Sequence, residues 1–445
     1  MNNSRRNFIR QTGMGLSAAA MLSQFDGLNR VQAQTANDYK ALVCIFLFGG
    51  NDGNNTVIPY TNYATYNAVR GSGTGINIPQ SQLLKISVPS HGADYGLHPS
   101  LVELQSLYQQ RKLAVVCNTG TLVQPLTRTS FLNNAPRPEH LFSHSDQQVQ
   151  WQSSMNSTTQ SSSGWGARTV EATAGLNGTN TFPPMLSVAG EVLYGIGKKT
   201  RTFVPGVPLF GFPADVSRHQ RYKSLRSILT YDLDSTLLKA SSGISSAAID
   251  NNNTYSVAMG GNTVATAFPS TSLGNQLKQI ATTIKARNAI GLKRQVFFAS
   301  LGGFDTHSNQ FYNQANLLTQ VSKAMKAFSD SMVELGTDSA VTTFTLSDFG
   351  RTLKPASGAG SDHGWGNHHF IMGGAVDGGN FFGNFPSLLL NGASDSGDEG
   401  RWIPTTSVDQ YGATLASWFG VADSAMNTVF PGIDNYLVRN LGFMN

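Results

Sequence analysis

Acidic and imidazole side chains gather in short polar segments that follow or precede the long apolar runs of this sequence. Aspartate and histidine are the usual protein ligands of zinc, manganese and similar divalent cations. Asp305 and His307 are two positions apart, so in an extended segment they point the same way and could share one ion. The pattern predicts a divalent metal site (Zn, Mn, Ca or Mg) whose candidate ligands are Asp52, Asp305, His307, Asp348, His363 and His368.

Each candidate ligand also has a structural interpretation. Asp52 lies in a turn rich in glycine and asparagine, where aspartate commonly caps its own backbone. Asp348 could pair with Arg351 three residues later. His368 and His369 enter a predicted strand side by side, so only one of them is expected to face a site at its end.

A second group of reactive side chains is the segment Phe142-Ser143-His144-Ser145-Asp146, which leads into a helical pattern. Ser143 is expected at or just before a helix N-terminus, where unpaired amides and the helix dipole favour an anion such as phosphate or sulfate. A metal can activate a hydroxyl nucleophile in such a place. We predict Ser143 and His144 as catalytic residues and Arg351 as an anion-binding residue. Serine is also a favoured helix N-cap, which is the alternative for Ser143.

Five apolar runs bounded by glycine and asparagine are expected to position these residues. They cover residues 41–48, 113–117, 295–300, 341–346 and 369–373. Runs of this length without alternation are typical of strands buried on both faces of a parallel sheet. Helical patterns at 97–111, 273–292 and 317–335 separate them, which predicts an α/β fold with a central, mostly parallel sheet and helices on both faces. Ligands of such sheets bind beyond the carboxyl ends of the strands.

The first 33 residues are typical of a twin-arginine signal peptide. Paired arginines at positions 5 and 6 precede a mild apolar stretch, and Val31-Gln32-Ala33 offers a small-residue cleavage site. This predicts export to the periplasm or beyond, with the twin-arginine export machinery as a partner. The remainder, 34–445, is predicted to be one α/β domain with an inserted cap-like region at about 183–268.

Charge and cysteine content exclude some classes of function. The net charge is +5, of which the leader's four arginines and one aspartate account for +3, leaving +2 for 34–445. The near-neutral remainder has no basic block, so nucleic-acid binding has no electrostatic support. No segment is expected to span a membrane. Cys44 and Cys117 lie in apolar runs and are expected as buried thiols, unless their strands are neighbours and form a disulfide.

The order and spacing of the polar motifs resemble those of the DUF1501 family of exported bacterial proteins. The motifs are IFLFGGNDGNNTVIPY, GLHPSL, KLAVVCNTG, FSHSDQQVQW, GWGAR, LGGFDTHSNQ, LSDFGRT and DHGWGNHHFIMGGAV. This family is grouped with alkaline phosphatases and sulfatases, which implies a mixed, mostly parallel sheet and a site for one or two metals. By resemblance, Asp52 is the first-strand metal aspartate and Ser143 the nucleophile. The resemblance also makes Asp305, His307 and Asp348 ligands, with His363 or His368 as the late histidine. This chain departs from the superfamily at two points. The superfamily commonly has Asp-His where this chain has Asp348-Phe349, and its aspartate and histidine that share a metal are farther apart in sequence than Asp305 and His307.

Two hypotheses of function follow. The first is a metal-dependent hydrolase of phosphate or sulfate esters, acting on a small-molecule or polymer-borne substrate, in which Ser143 attacks the ester. The alternative is a non-catalytic periplasmic protein that retains the fold for binding or assembly. A serine hydrolase with a catalytic triad is disfavoured because no Gly-x-Ser-x-Gly segment surrounds Ser143.

Overall fold

The computed structural model of this protein describes residues 39–156, 162–206, 220–231 and 235–445. The predicted signal peptide lies outside the described residues. The strands are Lys40–Leu47 (β1), Val57–Pro59 (β2), Leu84–Val88 (β3), Ala93–Leu97 (β4), Leu113–Gly120 (β5), Met185–Ser187 (β6), Arg294–Leu301 (β7), Val341–Ser347 (β8), Arg351–Ala356 (β9), Gly360–His363 (β10), Asn367–Met372 (β11), Phe381–Phe382 (β12) and Thr406–Ser407 (β13).

Helices connect most of these strands. The α-helices are Gly53–Thr56 (α1), Tyr63–Arg70 (α2), Val102–Gln109 (α3), Arg128–Leu132 (α4), His144–Ser153 (α5), Trp165–Ala172 (α6), Gln220–Ile228 (α7), Thr236–Met259 (α8), Ser272–Lys285 (α9), Arg287–Ile290 (α10), Gln310–Glu334 (α11), Val408–Phe419 (α12) and Met426–Val429 (α13). Across the described ranges, every helix is too short or too polar to cross a bilayer.

A central sheet has the strand order β12-β5-β11-β8-β1-β7-β6, with β13 also paired to β5. Strands β8, β1, β7 and β6 are parallel to one another, and β11 is antiparallel to both β8 and β5. The predicted α/β fold with a mostly parallel sheet is therefore confirmed. All five predicted strands are present, and the last of them is the antiparallel one.

The central strand β1 shows why its sequence is continuously apolar. Ala41, Val43 and Ile45 belong to one buried cluster, with side chains of α3, α9 and α11. The alternating residues Leu42, Cys44 and Phe46 belong to a second buried cluster, with side chains of α6 and α12. Side chains of successive strand residues point to opposite faces, so a strand covered by helices on both faces is apolar at every position.

The predicted helices are present with different bounds. The pattern at 97–111 begins as a helix only at Val102, because Leu97 ends strand β4. The pattern at 273–292 is divided into α9 and α10. The pattern at 317–335 is the later part of α11, which begins at Gln310. Gln310 and Gln314 are polar but fully buried, so hydrophobic periodicity alone could not show that the helix extends to them.

Two further expectations can be compared with the fold. Cys44 and Cys117 are buried free thiols, as expected, and their strands β1 and β5 are separated by β11 and β8. The region predicted as an insertion begins with β6, which pairs with β7 at the edge of the central sheet. The first part of that region is therefore sheet, and the cap-like role of the remainder stays a prediction.

Buried histidine is expected to make the fold sensitive to acid. His369 on β11 is 1% exposed beside Trp151, and burial lowers its pKa from the usual value to about 3. Between that value and about 6.5 the unfolded chain binds the proton more strongly, so the free energy of unfolding falls as the pH falls. From pH 7 to pH 5 this one group is expected to cost about 2 kcal/mol. Denaturant titrations of the wild type and His369→Phe at both pH values measure it. Equal losses in the two proteins would contradict the assignment.

Candidate metal centre

The segments that follow three neighbouring parallel strands place polar side chains at one edge of the sheet. Strand β1 lies between β8 and β7, and their last residues are in register, Leu47 opposite both Ser347 and Leu301. The segments that follow these strands are 48–52, 302–307 and 348–350. These segments meet because the carboxyl ends of parallel neighbours lie at one edge of the sheet.

A glycine allows these segments to approach closely. Gly49 has φ +111°, and a Cβ at that position would overlap the backbone nitrogen of Asp305. The amide of Gly49 donates to Asp348 Oδ1 over 3.1 Å. The amide of Phe304 donates to the carbonyl of Phe48, also over 3.1 Å. The backbone after β1 is thus bonded to the segments after β7 and β8.

Three imidazole nitrogens converge on a single carboxylate oxygen at this edge. Asp305 Oδ1 lies 2.9 Å from His307 Nε2, 3.4 Å from His144 Nε2 and 3.4 Å from His363 Nε2. The Nε2 atom of His363 lies 3.1 Å from that of His144 and 2.9 Å from that of His307. We call His144, Asp305, His307 and His363 the imidazole cluster. Its side chains are a quarter to a half exposed, so solvent reaches them.

Different elements position the four residues. His144 is the first residue of α5, and His363 ends β10. Asp305 and His307 lie in the loop between β7 and α11. The β9–β10 hairpin approaches that loop so closely that a Cβ at Gly360 would overlap the backbone of His307. The cluster therefore joins segments that are more than 200 residues apart in the chain.

The other ring nitrogens of the three histidines show which tautomer each ring has. His144 Nδ1 lies 2.7 Å from Asp348 Oδ2, and His307 Nδ1 lies 3.1 Å from Asp362 Oδ1. His363 Nδ1 lies 2.7 Å from the carbonyl oxygen of Phe142. All three partners are acceptors, so each Nδ1 carries the hydrogen. With the hydrogen on Nδ1, the lone pair of each Nε2 is directed toward Asp305 Oδ1.

This arrangement of lone pairs fits a divalent cation. The electron-rich atoms Asp305 Oδ1 and His363 Nε2 each lie about 3 Å from those of His144 and His307, and such atoms repel unless a positive charge lies among them. Around a tetrahedral zinc ion with bonds of about 2.0–2.1 Å, ligand atoms are about 3.3–3.4 Å apart, close to the observed separations. Metal-bound histidines typically donate their remaining N–H to a carboxylate or carbonyl, as all three do here. Within the described residues, three of the four, His144, Asp305 and His363, offer ligand atoms that all lie within 4.8 Å of one another. His307 joins them through Asp305 and His363, each 2.9 Å from its Nε2.

Arg351 supplies a fixed positive charge beside the imidazole cluster. Its Nη1 lies 2.8 Å from Asp305 Oδ1, and its Nη2 donates to the carbonyl of Ser361. Burial acts to raise the pKa of Asp305, but the hydrogen bond and charge of Arg351 outweigh it and the pKa is lowered. Asp305 is therefore an anion at neutral pH. The side chain of Arg351 is fully buried, so its contacts give no support to the predicted anion-binding role.

The surroundings of His144 and His363 shift their pKa values in opposite directions. The hydrogen bond to Asp348 raises the pKa of His144. Burial lowers the pKa of His363, and the neighbouring charges of Arg351 and His144 lower it further. Asp348 is itself fully buried and also accepts from Gln148. Asp348 therefore supports His144, and it pairs neither with Arg351 nor with an imidazole Nε2.

Asp52 has a different environment from the one predicted. Its carboxylate lies 2.8 and 2.9 Å from two nitrogens of Arg70, with both side chains fully buried. It also accepts from Gln310 Nε2 and from the backbone amide of Asn54, which it caps as helix α1 begins. The capping interpretation of Asp52 therefore agrees with the structure. The structure does not bring this carboxylate into the imidazole cluster.

His368 also lies apart from the cluster. It is 4% exposed, its ring stacks on Phe385 with centroids 4.6 Å apart, and its Nδ1 accepts from the backbone amide of Asn118. Burial lowers its pKa to about 3. His363, the other late histidine of the prediction, is the one placed in the cluster.

Ser143 lies at the start of α5, directly before His144. It is the N-cap residue, yet its side chain makes no capping bond. Its hydroxyl instead donates to Asp146 Oδ2, whose other oxygen pairs with His140 Nδ1 over 3.0 Å. The hydrogen bond from Ser143 lowers the pKa of Asp146. Ser143 therefore has its proton directed at an ionised carboxylate, while the first amides of the helix have no acceptor inside it.

Sequence reasoning missed three participants in the candidate site and gave a fourth, His144, a different role. It assigned His144 a catalytic role and did not consider it as a ligand. It did not single out Asp362 or the carbonyl of Phe142 as partners of ligand histidines, although Asp362 directly precedes His363. It also missed Arg401, which donates to the carbonyl of His363. The one signal in the sequence was the position of Asp362 beside His363, since carboxylates often accept from metal-bound histidines.

The chain is similar to one protein family by sequence and to several solved structures by fold. The model of the DUF1501 family, described as protein of unknown function, matches residues 39–396. Comparison with curated proteins by sequence found no significant match. Among solved structures, the PsFucS1 sulfatase from Pseudoalteromonas sp. has 10% identity and a TM-score of 0.40, over 95% of this chain and 76% of that chain.

Two further solved structures have similar scores. The lipoteichoic acid synthase LtaP from Listeria monocytogenes has 7% identity and a TM-score of 0.33, over 90% of this chain and 78% of that chain. The phosphonate monoester hydrolase of Agrobacterium radiobacter has 8% identity and a TM-score of 0.32, over 86% and 74%. No argument about the substrate of this chain follows from likeness at this level.

Proposed function

This chain belongs to the DUF1501 family, and we propose that it is a zinc-dependent hydrolase of phosphate or sulfate esters. The observation that carries the proposal is the convergence of three imidazole Nε2 atoms on Asp305 Oδ1, with each Nδ1 held by an acceptor. Three nitrogens and one oxygen form a donor set that suits zinc. Calcium and magnesium prefer sites made of oxygen alone.

The ion would be held by His144, Asp305, His307 and His363. When bound, a divalent cation polarises an ester oxygen and favours the ionised form of a nearby hydroxyl or water. Asp348, Asp362 and Phe142 keep the three rings in the tautomer that a cation requires. Arg351 keeps Asp305 ionised.

Ser143 is the proposed nucleophile. Ser143 directly precedes the proposed ligand His144. Its hydroxyl donates to Asp146, a carboxylate that stays ionised at neutral pH because its pKa is lowered. In the proposed reaction, Ser143 Oγ attacks the phosphorus or sulfur and its proton passes to Asp146. The alcohol leaves with a proton from solvent, and water then hydrolyses the serine ester. The amides at the start of α5 favour the anionic group of such a substrate.

Removal of the Ser143 hydroxyl is expected to abolish turnover. We expect Ser143→Ala to lower kcat by about 10³-fold or more, since a nucleophile has no substitute in a covalent mechanism. The measurement is hydrolysis of 4-nitrophenyl phosphate and 4-nitrophenyl sulfate by the zinc-loaded full chain. Zinc content, determined by elemental analysis, should not change.

Ser145→Ala is the matched control. The Ser145 hydroxyl lies 3.2 Å from that of Ser143 and also contacts Asp146, but it does not precede a ligand. This variant should keep most of the activity. Full activity of Ser143→Ala would remove Ser143 from the mechanism. A wild type that binds zinc but hydrolyses no ester would favour the alternative of a non-catalytic binding or assembly protein.

We also propose that the protein works in the periplasm or beyond, and the support is the twin-arginine pattern at residues 1–33. Replacing Arg5 and Arg6 together by lysine is expected to retain the precursor in the cytoplasm. Fractionation of an exporting bacterial host, with immunodetection of the chain, measures this. Export of the double variant at the wild-type level would contradict the proposed route.

A further inference from the structure

The backbone at Phe142 is strained where it meets the imidazole cluster. Phe142 has φ +73°, in the left-handed region that bulky residues rarely adopt. Its carbonyl accepts from His363 Nδ1 over 2.7 Å. Strain of this kind persists only where surrounding contacts enforce it. The contacts that hold Phe142 in place therefore also hold the hydrogen-bond partner of His363.

Arg401 contacts both His363 and Phe142. Its Nε donates to the backbone carbonyl of His363 over 2.8 Å. Its guanidinium carbon lies 5.0 Å from the centre of the Phe142 ring, within the range of a cation–π contact. One side chain thus contacts His363 through its backbone and Phe142 through its ring.

The loop that carries Arg401 is itself fixed. The carboxylate of Asp395 is fully buried and accepts four backbone amides, those of Asn391, Gly397, Gly400 and Arg401. Glu399 Oε2 lies 2.6 Å from Arg401 Nη2, so the guanidinium is also paired with a carboxylate of its own loop. Arg401 therefore extends from a fixed loop.

We propose that Arg401 is a positioning residue for the metal centre, holding His363 and Phe142 together so that His363 Nε2 faces the ion. This inference rests on the proposed function. Arg401 does not touch the reacting atoms, and it acts through His363. Partners of metal ligands typically contribute 10–100-fold to metal affinity. Arg401 is one step farther from the ion, so we expect an effect of about 10-fold.

Arg401→Met tests the proposal, because methionine keeps the aliphatic length and loses the donor and the charge. In the full chain, we expect its zinc affinity, measured by competition with a chromogenic chelator, to fall about 10-fold. We also expect the visible absorption spectrum of the Co²⁺-substituted protein to change, since that spectrum reports ligand geometry. Arg401→Lys keeps the charge and a hydrogen-bond donating group and should recover part of the affinity.

Arg128→Met is the matched control. Arg128 binds the same loop through the carbonyl oxygens of Asp395 and Gly397 and has no contact with the imidazole cluster. A purely structural role for Arg401 would give the two methionine variants the same metal affinity and the same Co²⁺ spectrum, and that result would overturn the inference. A wild type that binds no zinc would overturn both the inference and the proposed function. Zinc binding that depends on Arg401, without ester hydrolysis, would sink the proposed function alone.

Discussion

Replacement of His363 by alanine is expected to lower the zinc affinity of this protein by more than about 100-fold. His363 Nε2 lies within 3.4 Å of the three other proposed ligand atoms, so it occupies a central position among them. Its removal leaves two imidazoles and a carboxylate that already pairs with Arg351. Elemental analysis of the full chain, purified from an exporting host, should find one zinc ion per wild-type chain and almost none in the variant.

His140→Ala is the control for this experiment. His140 is exposed and close in sequence to His144, but its Nδ1 pairs with Asp146 and lies outside the imidazole cluster. This variant should retain the metal. A wild type that takes up calcium or magnesium in preference to zinc would contradict the donor set proposed here. Full zinc content in His363→Ala would show that the convergence of the three rings has another cause.

The sequence predicted which segments meet at one edge of the sheet, but not how their charged groups pair. Apolar runs revealed the strands, and the topological rule placed the segments after β1, β7 and β8 at one edge. Whether a carboxylate there meets a cation, an arginine or an amide depends on side chains that are distant in the chain. Asp52 and Arg70 are an example. The sequence analysis did not single out Arg70, yet it pairs with the carboxylate that the family resemblance assigned to a metal.

His144 illustrates a second limit of the sequence. Its position after Ser143 marked it as important, but its role depends on the direction of the ring. That direction follows from the contact of Nδ1 with Asp348, 204 residues away. The polar start of α11 was missed for a similar reason. Gln310 is buried because it donates to Asp52 and accepts from Ser361, and hydrophobic periodicity does not record such partners.

Asp52→Asn is expected to destabilise the fold by about 3–5 kcal/mol while leaving the zinc content unchanged. The Asp52–Arg70 pair is completely buried, and removal of one charge leaves the other in a medium that solvates it poorly. The neutral amide also pairs less well with the guanidinium, which donates to the carbonyl of Thr352 as well. Denaturant unfolding of the zinc-loaded full chain gives the change in the free energy of unfolding, and elemental analysis gives the metal content.

The double variant Asp52→Asn with Arg70→Met distinguishes two causes of the destabilisation in Asp52→Asn. One is the unpaired buried charge of Arg70, and the other is the loss of the contacts that the Asp52 carboxylate makes. Because methionine needs no counter-ion and fills much of the same volume, the double variant should recover a large part of the stability that Asp52→Asn loses. A ligand role for Asp52 makes the opposite forecast: zinc is lost in both variants, and replacing Arg70 restores nothing. Asp52 and Arg70 lie outside the imidazole cluster, so neither variant removes a proposed zinc ligand. Zinc content and the free energy of unfolding should therefore vary independently.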